Sequence, residues 1–162
     1  MALLWTFDEQ QTIKPISANN EQKFAQLASE VQLIKLKEMM GADFYQDVIA
    51  SPDGTWNAKL LDGATYDIND VSYTFAGLKY VLAFLFYERY IMEIDAQDTY
   101  VGLMRNENPN ATHVGFAQKK NMAQEMRRIA NDYWKDCYQF VCENSEEFPY
   151  AQVKTSGKFY AL

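Results

Sequence analysis

Histidine and cysteine are scarce in this chain of 162 residues, which contains one His and two Cys. Histidine-based catalysis and His/Cys metal sites need several such side chains, so we expect His113 to be an exposed, non-catalytic residue of a polar loop. Cys137 and Cys142 lie on a predicted helix, where a spacing of five residues separates them by about 8 Å and points them to different faces. That distance is too long for an unstrained disulfide. The sequence therefore predicts two free thiols, no metal and no other cofactor.

Long apolar runs and an excess of positive charge are also missing. The most apolar stretch, 80–87, is far shorter than the ~20 residues that span a bilayer. The N-terminal residues lack the basic region of a signal peptide. We therefore expect synthesis in the cytoplasm and no membrane partner. Acidic residues number 22 against 15 basic ones, a formal net charge of −7, which disfavours general nucleic-acid binding because that affinity comes mainly from neutralising phosphates.

Catalytic and nucleotide-binding motifs are absent as well. The sequence contains no Walker A motif, no Gly-x-Gly-x-x-Gly and no Gly-x-Ser-x-Gly. Two pairs of carboxylates, Glu88 with Glu93 and Asp67 with Asp70, remain open as acid/base pairs. Solvated surface or salt bridges are the favoured interpretation of both pairs. The sequence therefore predicts a protein that is not an enzyme.

Helical periodicity dominates what is present. Hydrophobic residues make up 48% of the chain and charged residues 23%, values typical of one globular domain. The strongest predicted helix, 78–94, is apolar nearly all round and should be buried on more than one side. Another helix is predicted from about 116 to 142, and two short ones at 43–50 and 56–61. A further helix begins near Asn19 or Asn20 and ends near Gly41, with one apolar face formed by Phe24, Leu27, Ala28, Val31 and Ile34, and a second by Leu33, Leu36 and Met40.

Alternating apolar residues between 64 and 76, with Asn69-Asp70 between the two runs, predict a β-hairpin. Residues from about 95 to 116 read as a long polar loop. We therefore predict a mainly α fold, a small helical bundle of three to four main helices with a short β-hairpin and extended N- and C-terminal arms. The arms are 1–18, and 148–162 as a C-terminal docking tail; the helical domain is 19–147.

Charge is unevenly distributed along the chain. Residues 41–76 contain six Asp and one Lys, a net charge of −5. One interpretation is a solubilising face, and the other is a surface kept negative so that passing DNA does not adhere. The C-terminal tail is basic, because it contains Lys154 and Lys158 and no acidic side chain.

Several aromatic and glycine-containing motifs resemble those of one protein family. They cover roughly residues 20–145, and their residues are structural rather than catalytic in character. The chain resembles the small head–tail connector (adaptor) proteins of tailed phages that infect Bacteroidetes, crAss-like phages included. The motifs are Leu60-Leu61-Asp62-Gly63, Tyr73-x-Phe75-x-Gly77-Leu78-Lys79-Tyr80-x-Leu82-Ala83, Tyr87-x-Arg89-Tyr90 and Tyr133-Trp134-x-Asp136.

This resemblance implies a structural virion protein at the head–tail interface, made in the bacterial host cytoplasm. Such connectors are helical bundles that form a ring, usually of twelve copies, below the portal protein. The ring extends the channel through which double-stranded DNA passes without sequence-specific binding, and it docks downstream tail or ring proteins. Two alternatives stay open: a tail-completion or other lower ring protein, and a cytosolic helical interaction module without a virion role.

The resemblance and the composition of the arms also suggest contact residues. In related connectors a C-terminal segment embraces the portal, so we expect portal docking by the tail residues Tyr150, Val153, Lys154, Lys158, Phe159, Tyr160 and Leu162. We expect contacts with an adjacent subunit or the next ring from Trp5, Phe7, Phe84, Ile91 and Tyr100. The alternative for both arms is that they fold back on the core of their own domain.

Overall fold

The computed structural model describes residues 2–16, 21–93, 96–99, 102–105 and 115–151. The mainly α prediction with a short β-hairpin is confirmed. In chain order the elements are α1 (Phe7–Ile13), α2 (Glu21–Val31), a π-helical segment (Gln32–Leu36), α3 (Lys37–Met40), α4 (Ala42–Ala50), α5 (Thr55–Asp62), β1 (Ala64–Ile68), β2 (Val71–Phe75), α6 (Leu78–Glu93), β3 (Ala96–Thr99), β4 (Gly102–Arg105) and α7 (Phe116–Glu143).

Helix α6 is the centre of the fold, as its apolar sequence predicts. One side packs on α7, where the rings of Tyr80 and Phe84 lie 5.3 and 5.6 Å from the ring of Tyr133. Another side packs on α2, where the rings of Phe86 and Phe24 are 5.1 Å apart. Eight residues of α6 are buried, which confirms that the helix is covered on more than one side: Leu78, Val81, Leu82, Ala83, Leu85, Phe86, Tyr90 and Ile91.

The π-helical segment that joins α2 to α3 changes which side chains face the core. Periodicity places Ile34 on the buried face, but Ile34 is 55% exposed and Leu33 is also exposed, so that prediction is wrong. The extra residue in a π-helical turn rotates the side chains that follow it relative to a regular α-helix. Ile34 therefore turns outward, whereas Gln32, four residues after the buried Ala28, is buried together with Leu36 and Met40.

The N-terminal arm is part of the domain over its described residues. Trp5 is 1% exposed, and its Nε1 donates a hydrogen bond of 3.2 Å to Oε1 of the buried Gln10 in α1. Gln32 Oε1 accepts from the Leu4 backbone N–H at 2.8 Å, and its Nε2 donates to the Ala2 carbonyl at 3.1 Å. Two buried glutamines therefore attach this segment to the bundle, which corrects the prediction of an extended arm at 1–18.

The predicted hairpin is confirmed as the antiparallel pair β1–β2, in which Tyr66 lies opposite Tyr73. Asn69 and Asp70 at its turn have φ values of 49° and 64°, as a two-residue turn with both residues in the left-handed region requires. The predicted loop at 95–116 is only partly correct, because β3 and β4 within it form a second antiparallel hairpin.

A further aromatic cluster packs around Phe140, near the C-terminal end of α7. The ring of Phe140 in α7 lies 4.7 Å from that of Phe75 and 5.9 Å from that of Phe148. Phe148 also contacts the rings of Phe44 and Trp56 and is 1% exposed. Phe148 thus belongs to the hydrophobic core, which corrects the placement of the docking tail from residue 148 onward.

Candidate functional site

Two of the motifs that carry the family resemblance, 60–63 and 73–83, meet at the base of the first hairpin. Gly63 and Gly77 both have positive φ, +86° and +92°, a conformation that side-chain-bearing residues rarely adopt. A Cβ on Gly77 would lie 2.3 Å from the Gly63 backbone nitrogen, and a Cβ on Gly63 would lie 2.4 Å from the Phe75 carbonyl oxygen. The two backbones therefore touch where the chain enters and leaves the hairpin, and both positions require glycine.

Lys79 connects this base to the N-terminal helix. Its Nζ lies 2.6 Å from Glu9 Oε1 and 2.6 Å from Asp62 Oδ1. Burial lowers the pKa of Lys79, but its hydrogen bonds to Asp62 and Glu9 outweigh that effect and raise the pKa above its ordinary value. Burial raises the pKa of Glu9, but hydrogen bonds from Lys79 and from the Thr6 backbone lower it overall. The Asp and Lys of the motifs thus hold α1, α5 and α6 together.

We expect Lys79→Met to lower the free energy of unfolding at neutral pH by about 1–2 kcal/mol, because both carboxylates lose a partly buried charged donor. The lowered pKa of Glu9 makes its contribution present above the ordinary value of 4.5, and that contribution is lost as the pH falls through the folded-state pKa. The raised pKa of Lys79 makes its contribution present below 10.5 and lost as the pH rises through the folded-state pKa. Urea unfolding measured from acidic pH, below 4.5, to alkaline pH, above 10.5, follows both losses of stability.

The control for this variant is Arg128→Met. Arg128 pairs with Glu125 and Asp132 on the exposed surface of α7, where ion pairs contribute little. We expect a smaller loss than for Lys79→Met and a weaker dependence on pH. Equal losses in the two variants would contradict the connecting role of Lys79.

Three exposed apolar pairs lie on different elements, and the first is the hairpin tip, Val71 and Tyr73. These residues share one face of β2 with Phe75. Phe75 is buried against Phe140, Tyr73 is exposed and Val71 is 52% exposed. The apolar face of the hairpin therefore packs on α7 at its base and extends past the core toward its turn.

The second pair is the α7 start, Phe116 and Met122, whose side chains point about 120° apart because six residues turn an α-helix by about 600°. Phe84 of α6 contacts Tyr133 of α7, and Glu88, one turn later in α6, pairs with Arg127, earlier in α7. The two helices therefore run antiparallel. Because α6 ends at Glu93, the first residues of α7 lie beyond its end, and Phe116 is 72% exposed.

The third pair is the π-helix patch, Leu33 and Ile34. Ile34 borders a shallow groove of about 110 Å³ between the π-helical segment and α6. Val31 and Leu85 supply further apolar lining, and the Arg89–Glu30 ion pair of 3.1 Å lies at the groove.

The structure buries or packs most of the predicted subunit contacts. Trp5 and Ile91 are buried, Phe7 packs against Phe24 at 5.6 Å, and Phe84 stacks on Tyr133. The burial of Trp5 and Ile91 corrects their prediction as contact residues. Phe7 and Phe84 are half-buried, so their contact with a neighbouring subunit stays a prediction. Among the predicted portal-docking residues, Tyr150 is 56% exposed. The remaining predicted residues lie outside the described ranges: Tyr100, His113, Val153, Lys154, Lys158, Phe159, Tyr160 and Leu162.

Groups with possible reactivity have structural partners. Glu88 pairs with Arg127, Glu93 with Arg89 at 2.8 Å, and Asp67 accepts a hydrogen bond from Ser72. These carboxylates form the salt bridges and surface contacts that their sequence favours.

Cys137 and Cys142 are both free, and burial raises the pKa of each thiol. Within the described ranges, no three His, Cys, Asp or Glu side chains are grouped as a metal ion would require. In the same part of the chain, no helix has both the length and the apolarity needed to cross a bilayer.

These features define a mainly helical domain built around a glycine-closed hairpin, with separate exposed apolar patches. The chain belongs to the family of unknown function DUF6712, whose model matches residues 36–160. That range includes both motif glycines, α6, α7 and most of the C-terminal tail. Comparison with curated proteins and with solved structures gives no match.

Proposed function

We propose that this chain is a structural subunit of the head–tail connector of a tailed phage. It forms a ring below the portal protein, extends the DNA channel and joins the capsid to the tail. Its role is structural rather than catalytic. The support from the sequence is the resemblance of its motifs to those of connector proteins.

The observation that carries this proposal is that the hairpin tip and the α7 start, two exposed apolar regions, lie at opposite ends of helix α7. A subunit in a closed ring uses two different surfaces for its two neighbours. Stacking between the portal and the tail requires further surfaces. The hairpin packs on the C-terminal part of α7, where the Tyr66 ring lies 5.3 Å from that of Phe140, whereas the α7 start lies at the other end of this helix of 28 residues. Separate apolar surfaces on one small domain are what a ring subunit needs.

The acidic surface also supports the channel role. Five of the six Asp residues in 41–76 are exposed: Asp43, Asp53, Asp62, Asp67 and Asp70. Asp62 is paired with Lys79, and we propose that the other four face the channel. Like charges repel, so negative charge there lets the phosphate backbone pass without adhering. Such a surface suits a channel for DNA rather than a site that binds it.

The basic tail supplies the test of portal docking, and its boundary follows from the fold. Removal of residues 152–162 leaves Phe148 and the described domain intact, whereas removal from 148 would also take away a core side chain. We expect the shorter deletion to abolish capture by the portal protein encoded in the same genome, with an unchanged melting temperature. Affinity purification after co-expression measures this.

Controls in the same experiment separate the alternatives. The full-length chain is the positive control, and mass spectrometry of purified virions tests whether the protein is part of the particle. Capture of the deletion variant at the full-length level would contradict docking through the tail. Presence in virions with capture by tail proteins instead of the portal would favour a lower ring. Absence from virions would favour the interaction module.

A further inference from the structure

One face of the first hairpin is apolar along its whole length and is buried at its base. Opposite and alternate positions of an antiparallel pair point to the same side, so six residues share this face: Ala64, Tyr66, Ile68, Val71, Tyr73 and Phe75. Phe75 is buried, whereas Val71 is 52% and Tyr73 42% exposed. The face therefore continues past the core toward the turn as one apolar surface, uncovered by any described part of the chain.

Carboxylates of α7 border this face. Asp136, Phe140 and Glu143 are spaced by four and three residues, so they lie on one side of the helix. The Phe140 ring packs on the hairpin, 5.3 Å from that of Tyr66. Burial raises the pKa of Tyr66, and the negative charges of Asp136 and Glu143 raise it further. Both carboxylates are exposed, so they remain open to a positively charged partner.

The sequence around the face is acidic as well. Residues 64–75 contain two Asp, residues 136–147 contain four acidic side chains, and neither range contains Lys or Arg. A basic residue of α5, Lys59, has its Nζ 4.2 Å from the centre of the Trp56 ring, and the acidic residues outnumber it. An occupant of this surface should therefore combine apolar side chains with positive charge.

The end of this chain has that composition. Residues 152–162 contain two Lys and no acidic side chain. Four larger apolar residues accompany the lysines: Val153, Phe159, Tyr160 and Leu162. The amino acids of the segment therefore match the surface in both respects.

This segment also starts beside the face that it would cover. The ring of Phe148 lies 5.9 Å from that of Phe140, and Ala151 packs half-buried against the core. The exposed length of the face, from Phe75 to Val71, is about 13 Å at 3.3 Å per residue. Residues 152–162 can span up to about 36 Å, so they can reach the turn within their own molecule.

We infer that residues 152–162 bind the apolar face of the hairpin in the same chain. The apolar side chains of this segment cover the hairpin tip, and its two lysines pair with Asp136 and Glu143. A tethered segment has an effective concentration in the millimolar range, which favours its own hairpin over that of a second copy. The contact itself does not depend on the connector role.

In a connector subunit this contact would control assembly, a consequence that rests on the proposed function. Capture of the tail by the portal would remove it from the hairpin. The hairpin tip would then be free to contact the neighbouring subunit. Subunits would therefore join into a ring on the portal rather than free in solution.

Trypsin cleavage of the full-length chain tests the contact, because trypsin cuts after Lys154 and Lys158. We expect both sites to be protected in the wild type. In Val71→Ser with Tyr73→Ser they should be cut at least about tenfold faster, because the tail has lost the centre of its apolar contact. Mass spectrometry over time measures cleavage at each site.

The matched control is Ser72→Ala with Thr74→Ala, which changes the same strand on its opposite, polar face. We expect it to be cut at the wild-type rate. Circular dichroism melting checks that both variants are folded. Both should melt as the wild type does, because a tail held by a few surface contacts detaches before the domain unfolds.

A second variant, Asp136→Asn with Glu143→Gln, tests the acidic border. We expect cleavage about threefold faster than in the wild type at low salt, as the loss of exposed ion pairs implies. Added salt should speed cleavage of the wild type and change that of this variant little, because its ion pairs are already absent.

Three outcomes would overturn the inference. The wild type could be cut as fast as the hairpin-tip variant, or both test variants could retain full protection, which would place the tail elsewhere. Protection could also appear only at concentrations at which sedimentation velocity shows an oligomer, which would assign the tail to a second copy. Each of these leaves the connector role to the portal-capture experiment. A protected tail in a chain that the portal does not capture would reject the connector role and leave the contact standing.

Discussion

Replacement of Gly77 by alanine is expected to lower the free energy of unfolding by about 2–6 kcal/mol. The alanine has to adopt φ +92°, and its Cβ would lie 2.3 Å from the Gly63 nitrogen and 2.5 Å from the Leu61 carbonyl oxygen. Backbone strain of this kind costs about 1–3 kcal/mol, and forcing closely packed groups apart adds about 1–3 kcal/mol more. The atoms that clash belong to the backbone, so no side chain can move to relieve them. Chemical denaturation followed by circular dichroism measures the loss.

Gly41→Ala is the matched control, because it separates strain from clash. Gly41 also has positive φ, +84°, but a Cβ there meets no atom within 4 Å. We expect a loss of about 1–2 kcal/mol from strain alone. Similar losses in the two variants would contradict the close backbone contact at the hairpin base.

Replacement of Phe148 by alanine should cost about 3–5 kcal/mol, the range for removing a buried aromatic ring. Phe148 is 1% exposed and contacts the rings of Phe44, Trp56 and Phe140 at 5.7, 6.4 and 5.9 Å. Its removal leaves a cavity between α4, α5 and α7. Thermal and urea unfolding of the purified variant measure the effect.

Tyr150→Ala is the control, since Tyr150 follows two residues later and is 56% exposed. We expect its unfolding free energy to lie within about 0.5 kcal/mol of the wild type. A Phe148→Ala variant with unchanged stability would show that the helical domain ends before residue 148 and that the docking tail begins there.

The elements with a regular period could be predicted from the sequence. Helices α6 and α7 have apolar residues at helical spacing over several turns, and β1–β2 has an alternating pattern with Asn69-Asp70 at the turn. These signals are local, because each element shows one face to the core along its whole length. The fold class followed from them.

Features that depend on a single tertiary contact could not be predicted in the same way. Helix α1 has seven residues, too few to show a period, and it is attached through the buried side chain of Gln10. The π-helical turn leaves no mark in the sequence pattern, so helical periodicity places Leu33 and Ile34 on apolar faces although both are exposed. Phe148 belongs to the core only because Phe140 and Trp56 lie beside it in space.

The candidate surfaces show the same limit. The alternation in β2 predicts that Val71 and Tyr73 share a face with Phe75. It does not predict that the core ends between Phe75, which is buried, and Tyr73, which is exposed. Phe116 is exposed because it lies beyond the point at which α6 stops running alongside α7. This depends on how the two helices pack, and the sequence of neither helix shows it. The motif residues of the family resemblance, by contrast, close and connect the hairpin base. Among the six residues of the three exposed apolar pairs, Tyr73 belongs to a motif and the other five do not.

The most direct test of the connector role is electron microscopy of the chain co-expressed with the portal protein from the same genome. We expect class averages that show a ring of this protein, with twelve copies, stacked below the portal around a continuous channel. A portal without an added ring, together with a folded chain that purifies separately from it, would contradict the account.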